Sequence, residues 1–321
     1  MENQQSPESD QKSAGWEKAV LEKLAYSAIE EQRKSRRWGI FFKLMTFAYL
    51  AIVLGLLAYP NFEAEMKTTT QHAAVIDVLG IIAEGEVANA DTIIQALRDA
   101  IKDKNTKGVI LNINSPGGSA VQAAYVYDEI RRQKAEHPNL PIYAVVGDMC
   151  ASGGYYIAAA SDKIYVSPAS ILGSIGVIMN GFGFSNVLEK LGVERRLLTA
   201  GEHKAMLDPF SPVKEQEAKH MQTLLDQVHK QFIAAVKQAR GDRLKETTDM
   251  FSGLVWTGEE GVKLGLADDF GSVDSVARQV FGTEEKLNFT PEERLIDRLA
   301  GKMGATFAHT LGTMINSAEF H

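Results

Sequence analysis

The chain has 321 residues, 45% of them hydrophobic, which is enough for one large globular domain or two modest ones. A net charge of -7, with no long basic stripe in the globular part, excludes a nucleic-acid surface. Cys150 is the only cysteine, so neither an intrachain disulfide nor a cysteine-based metal site can form.

Residues 1–37 are polar and charge-rich and read as a cytoplasmic arm, with a short amphipathic helix expected over Trp16 to Glu31. Residues 38–59 (WGIFFKLMTFAYLAIVLGLLAY) are apolar over a length that crosses a hydrocarbon core of about 30 Å as a helix, so membrane lipid is an expected partner there. The alternative for such a run is a buried core helix. Lys43, its one charge, lies near enough to the N-terminal end to snorkel. Arg33, Lys34, Arg36 and Arg37 precede the run, whereas Glu63 and Glu65 follow it. The excess of positive charge places the N-terminus in the cytoplasm and everything after Tyr59 outside. The long, partly acidic leader and the poor cleavage site at Leu56-Leu57-Ala58 predict an uncleaved anchor. Residues 60–72 read as a polar stalk.

From Ala73 the pattern alternates strands and helices. Strands are expected at Val75 to Val78, Gly80 to Ala83, Gly108 to Ile113, Pro141 to Val146, Lys163 to Val166 and Val193 to Thr199. Helices are expected at Asp91 to Lys102, Gly118 to Lys134, Gly153 to Ala160, Ser185 to Leu191, Lys214 to Arg240 and Thr257 to Leu264, the last ending at Gly265. Such alternation implies βαβ units around a mostly parallel sheet. The domain runs over residues 73–290. Pro291 opens a final helical arm, residues 291–321.

In Met149-Cys150-Ala151-Ser152-Gly153-Gly154-Tyr155-Tyr156 one hydroxyl stands between a buried strand and a small-residue helix. Ser152 is therefore a candidate nucleophile, since unpaired N–H groups at a helix start stabilise an oxyanion. Its plain alternative is a helix N-cap. Asn114-Ser115-Pro116-Gly117-Gly118-Ser119 follows another strand, and Gly118 is a candidate oxyanion donor, with a simple Pro-Gly-Gly turn as the alternative. It lacks the lysine and hydroxyl of a phosphate-binding loop. A serine needs a base. No histidine is persuasive: His137 lies in a charged loop, and His220 and His229 fall on the long helix and read as surface residues. Lys204, beside His203 in Thr199 to Phe210, is a candidate, because burial disfavours an ammonium; an exposed structural lysine is the alternative.

NSPGGS, MCASGGYYIAAASDKIY, SILGSIGV, GEHKAMLDPFSP and WTGEEGVKLGLADDFGSV, in that order, resemble the successive signatures of the signal peptide peptidase A family, S49 serine peptidases, over Ala73 to Phe281. The resemblance implies an α/β fold of the ClpP/crotonase type and a Ser/Lys dyad that cleaves remnant signal peptides at the membrane. It implies Ser152 as nucleophile, Lys204 as general base, Ser174 as the serine that orients the lysine, and Gly118 and Gly153 as oxyanion donors. It implies no metal and no cofactor. The expected setting is the bacterial inner membrane, with the catalytic domain on the extracytoplasmic side and a homo-oligomeric ring of eight in which neighbours could share each site. His203 departs from the tyrosine the family often places before the lysine. Two rivals reuse the fold: an acyl-CoA enzyme of crotonase type, and a non-catalytic membrane scaffold.

Overall fold

The computed structural model describes Lys23, Tyr26, residues 29–55 and residues 70–291. Most of the expected N-terminal arm, the stalk up to residue 69 and the C-terminal arm from residue 292 lie outside these. The chain divides into two compact units at Thr68 and Thr69. In the first, helix α1 (Ile29–Gly55) is long and apolar enough to cross a membrane. At ~1.5 Å per residue its 27 residues run about 40 Å. Its described stretch starts nine residues ahead of the apolar run, and so carries Arg33, Lys34, Arg36 and Arg37 before that run. Residues 56–59 of the expected span are not described.

The second unit runs β1 (His72–Ile82), α2 (Ala90–Lys102), β2 (Thr106–Gly118), α3 (Ala120–Glu136), β3 (Ile142–Ala151), α4 (Gly153–Ala159), β4 (Lys163–Val166), β5 (Ile171–Gly173), α5 (Ser185–Lys190) and α6 (Glu215–Arg240). It closes with β6 (Val255–Thr257), α7 (Gly258–Leu264), β7 (Asp269–Phe270), α8 (Val273–Gln279) and β8 (Lys286–Asn288). The sheet has the order β6-β5-β3-β2-β1-β8, with β4 and β7 branching from β3. All pairs are parallel except β5 with β6.

Both faces of the sheet are covered, which is why its strands read as nearly unbroken apolar runs. Ala74, Ile76 and Val78 of β1 face one core with residues of α2, α3, α4 and α6. Ala73 and Val75 face a second, smaller core with Val276 and Ala277 of α8 and Phe281. Arg240 at the end of α6 is buried; its guanidinium donates to Asp268 at 2.7 Å and to the Gly265 carbonyl at 2.8 and 2.9 Å. It ties α6 to the turn that leads into β7.

The feature that positions the site is a fork in β3. Residues Tyr143–Val145 pair with β4, whereas Met149–Ala151 pair with β5. At the fork the Ser170 hydroxyl donates to the Gly147 carbonyl at 2.6 Å. The end of β3 therefore leaves the line of β4 and delivers the next residue, Ser152, beside Gly173.

Two expectations and one alternative need correction. His72, assigned to the stalk, already opens β1. Asn114 to Gly118 is no tight turn: β2 continues through it, with Gly117 and Gly118 at φ of 101° and 151°. Val193 to Thr199 forms no strand, and every residue from Gly192 to Lys204 is exposed. Its apolar ends, Val193 and Leu197-Leu198, enclose Glu194, Arg195 and Arg196, and among the described residues it pairs with no strand of the sheet.

Candidate active site

Ser152 follows β3 directly and has φ 51° and ψ -121°, a backbone conformation that costs a non-glycine residue roughly 1–3 kcal/mol. Two hydrogen bonds impose it. The Ser152 N–H donates to the Gly173 carbonyl at 2.9 Å, and the Ser152 carbonyl accepts from Tyr156 N–H at 2.9 Å, which starts α4. The side chain makes no capping bond, unlike Asn89 and Ser119 at the starts of α2 and α3, which accept from Thr92 and Gln122. The N-cap alternative for Ser152 therefore fails. A hydroxyl held out on a strained strand-to-helix turn is the geometry of an exposed nucleophile.

The glycines beside it are required by proximity. A Cβ on Gly117 would lie 2.7 Å from the Ser152 Cβ and 2.8 Å from the Gly153 nitrogen. A Cβ on Gly153 would lie 3.3 Å from the Gly118 nitrogen. The backbone nitrogens of Gly118 and Gly153 thus lie close to one another and to Ser152. Buried Ser115 fixes this crossing: its hydroxyl donates to the Gly80 carbonyl at 2.6 Å and accepts from Gly117 N–H at 3.1 Å. Gly117→Ala should displace Ser152, and a misplacement approaching 1 Å costs about 10²-fold in rate. The measurement is the rate of Ser152 modification by a fluorophosphonate, expected to fall by that factor while the circular dichroism of the variant stays native.

Ser152 opens onto a groove of about 440 Å³ between α3, α4, α6 and the segment after β5. Its walls include Val121, Tyr125, Tyr156, Val177, Ile178 and Phe232, so an apolar side chain could be desolvated there. Ser174 stands next to Gly173, the residue bonded to Ser152, with φ 50° and its N–H donated to the Leu254 carbonyl at 2.7 Å. Ser152, Gly118 and Gly153 are therefore brought together, with Ser174 one residue along from the backbone partner of Ser152.

Lys204 is not. It is exposed, does not line the groove, and its ammonium makes no hydrogen bond or ion pair among the described residues. The turn carrying it is nevertheless anchored. The buried Glu217 carboxylate accepts from Lys214 at 3.1 Å and lies 3.4 Å from His203 Nδ1. The Lys214 bond, with weaker help from His203 and the Leu207 N–H, outweighs burial and holds Glu217 below the ordinary carboxylate range. His229, expected at the surface, is half-buried, with Nε2 3.0 Å from the Ile175 carbonyl at the edge of the groove. Its apolar neighbours Val228 and Phe232 were the signal for that. Ser115 was also legible in principle, since a serine before Pro-Gly-Gly at a strand end has backbone groups to satisfy.

A forked parallel sheet that delivers a serine into a strained turn beside two glycine amides defines a ClpP-like α/β scaffold. The sequence pattern of the Clp proteases matches residues 65–172, and that of peptidase family S49 matches residues 134–286. A provisionally named protease of Synechocystis sp. is 30% identical over 214 residues, covering 66% of this chain and 74% of its own. A provisionally named signal peptide peptidase SppA of Enterococcus faecium is 32% identical over 216 residues, 64% of this chain and 62% of that one. The chain belongs to peptidase family S49. A Brucella melitensis protein named Na(+)/H(+) antiporter NhaA is 43% identical over 198 residues, which make up 62% of this chain and 27% of that protein. The chain thus spans less than two thirds of the Brucella and Enterococcus proteins.

Proposed function

We propose that the chain is a membrane-anchored serine endopeptidase that degrades remnant signal peptides and other short apolar peptides, using Ser152 and Lys204 as a dyad. The observation that carries this reading is the Ser152 hydroxyl, unspent on capping, held in a strained turn beside the Gly118 and Gly153 nitrogens and an apolar groove. Lys204 removes the Ser152 proton, and Oγ attacks a peptide carbonyl. The N–H groups of Gly118 and Gly153 stabilise the tetrahedral oxyanion. The Lys204 ammonium then protonates the leaving amine, and water repeats the cycle on the ester, returning acid and free serine.

Lys204 reaches a serine in this reading through assembly into a ring, which the family resemblance puts at eight subunits. The exposed segment that carries it supports this: Phe182 is 82% and Leu198 97% exposed, with Leu191 and Val213 also open. Contact with a second copy would cover these side chains and dry the lysine, and desolvation favours a neutral amine. Ser174 orients the lysine in the assembled site. Helix α1 anchors the chain in the bacterial inner membrane, with the N-terminus cytoplasmic and the peptidase unit outside.

Intact-mass spectrometry of the detergent-solubilised protein treated with a serine-directed acylating inhibitor tests the reading. One adduct mapping to Ser152, lost in Ser152→Ala and in Lys204→Met, is expected. No adduct on correctly assembled wild-type protein would leave a non-catalytic scaffold as the better description.

A further inference from the structure

We propose that the groove beside Ser152 selects a peptide residue with a long aliphatic stem and a cationic head, lysine or arginine, and that Asp128 receives that head. The inference rests on the serine peptidase reading and names the substrate class of that same site.

Val121, Ala124, Tyr125 and Asp128 of α3 all line the groove, at the i, i+3, i+4, i+7 spacing of one helix face. Val121 and Tyr125 present exposed apolar surface there, and Asp128 is the only charged residue among the described ones lining it. The other acids of α3 are occupied: Glu129 by Arg98 and Arg132, and Glu136 by Arg132. Asp128 alone has no hydrogen bond or ion pair among the described residues, although Arg131 lies on the same helix. Gln231, facing the groove from α6, is neutral. Burial above all, with Tyr127 and Asp128 contributing, raises the Tyr156 hydroxyl on the opposite wall above its ordinary value.

The dimensions suit such a side chain. A carbonyl held between the Gly118 and Gly153 amides puts its own residue at the mouth of the groove, next to Ala120. Asp128 is eight residues further along α3, about 12 Å along the axis. Helical side chains lean towards the N-terminus, so the carboxylate leans back towards Ser152 and shortens the gap. An extended lysine or arginine spans the rest, its stem on Val121 and Tyr125 and its head at the carboxylate. A neutral apolar residue uses only the stem contacts, and an acidic one meets like charge.

The test uses the full chain in detergent with fluorogenic peptides that differ only at the residue on the acyl side of the cleaved bond: lysine, norleucine or glutamate. Wild-type protein should favour lysine over norleucine roughly tenfold in kcat/KM, with glutamate last, as a charge-assisted bond predicts. Asp128→Asn should bring the lysine to norleucine ratio near one, and Asp128→Lys should place glutamate above lysine. A wild-type ratio at or below one, or a lysine preference that survives in both variants, overturns the proposal while leaving the peptidase reading intact. Cleavage of every peptide by Ser152→Ala at the wild-type rate would instead bring down that reading, and this inference with it.

Discussion

Ser152→Ala and Lys204→Met subunits, each inactive alone, are expected to regain peptidase activity when co-assembled. Each single variant should lose at least ~10³-fold in kcat/KM, since members of a catalytic unit fail together when one is removed. The expectation of rescue follows from where the two residues lie. Ser152 is fixed by the β3 fork and by its bonds to Gly173 and Tyr156, whereas Lys204 is exposed and unbonded among the described residues. In a closed ring with head-to-tail contacts, every site would combine the serine of one subunit with the lysine of the next. Random mixing of equal amounts of the two variants then leaves about one site in four with both residues intact. Co-expression with two different affinity tags, tandem purification and a peptide assay would measure this. Mixed rings with no activity above either parent would place the dyad within one subunit or remove Lys204 as the base. Mixing wild type with the doubly substituted chain controls for simple dilution.

The sheet topology marks the boundary of what could be read from residue order. The long amphipathic helices and the buried strands are encoded locally, by periodicity and by unbroken apolar runs, and α2, α6 and β4 fall within a residue of where those patterns place them. The fork at Gly147 is not local. It depends on β5, three residues long, and on the antiparallel β6, also three, and segments that short carry no periodicity. Asn114 to Gly118 admits a turn as its alternative because proline and glycine usually make one. Here the glycines serve close approach, with Gly118 so near the Ile82 carbonyl that a Cβ could not fit. Val193 to Thr199 fails for a plainer reason: three of its seven residues are charged, every one is exposed, and among the described residues no strand pairs with it. Ser152 stood out because a single hydroxyl sits between a strand and a helix. Only the structure shows that the hydroxyl is not used as a cap.

Arg240→Met should be the most destabilising single change in the peptidase unit, by about 3–5 kcal/mol near neutral pH, because it leaves a largely buried carboxylate without its principal partner. Burial alone would raise the Asp268 carboxyl. Arg240, with the Ile164 N–H and Arg243, reverses that and holds it below the ordinary value. A carboxyl depressed in the folded state contributes stability that is present above its unfolded pKa and lost as pH falls through the folded one. Methionine keeps the apolar stem packed between α6 and β7 but removes the donors to Asp268 and to the Gly265 carbonyl. Arg243, 3.3 Å from Asp268 and more exposed, replaces little of this. The difference between wild type and Arg240→Met should therefore be greatest at pH 7. It should begin to narrow above the ordinary aspartate value of about 4, because without Arg240 burial raises the carboxyl, and protonation then removes its unpaired charge. Urea unfolding of the peptidase unit in the full chain, followed at several pH values, measures both effects. A cost below ~1 kcal/mol at pH 7, or one that grows on acidification, would mean that the ion pair between α6 and β7 contributes little to holding the fold together.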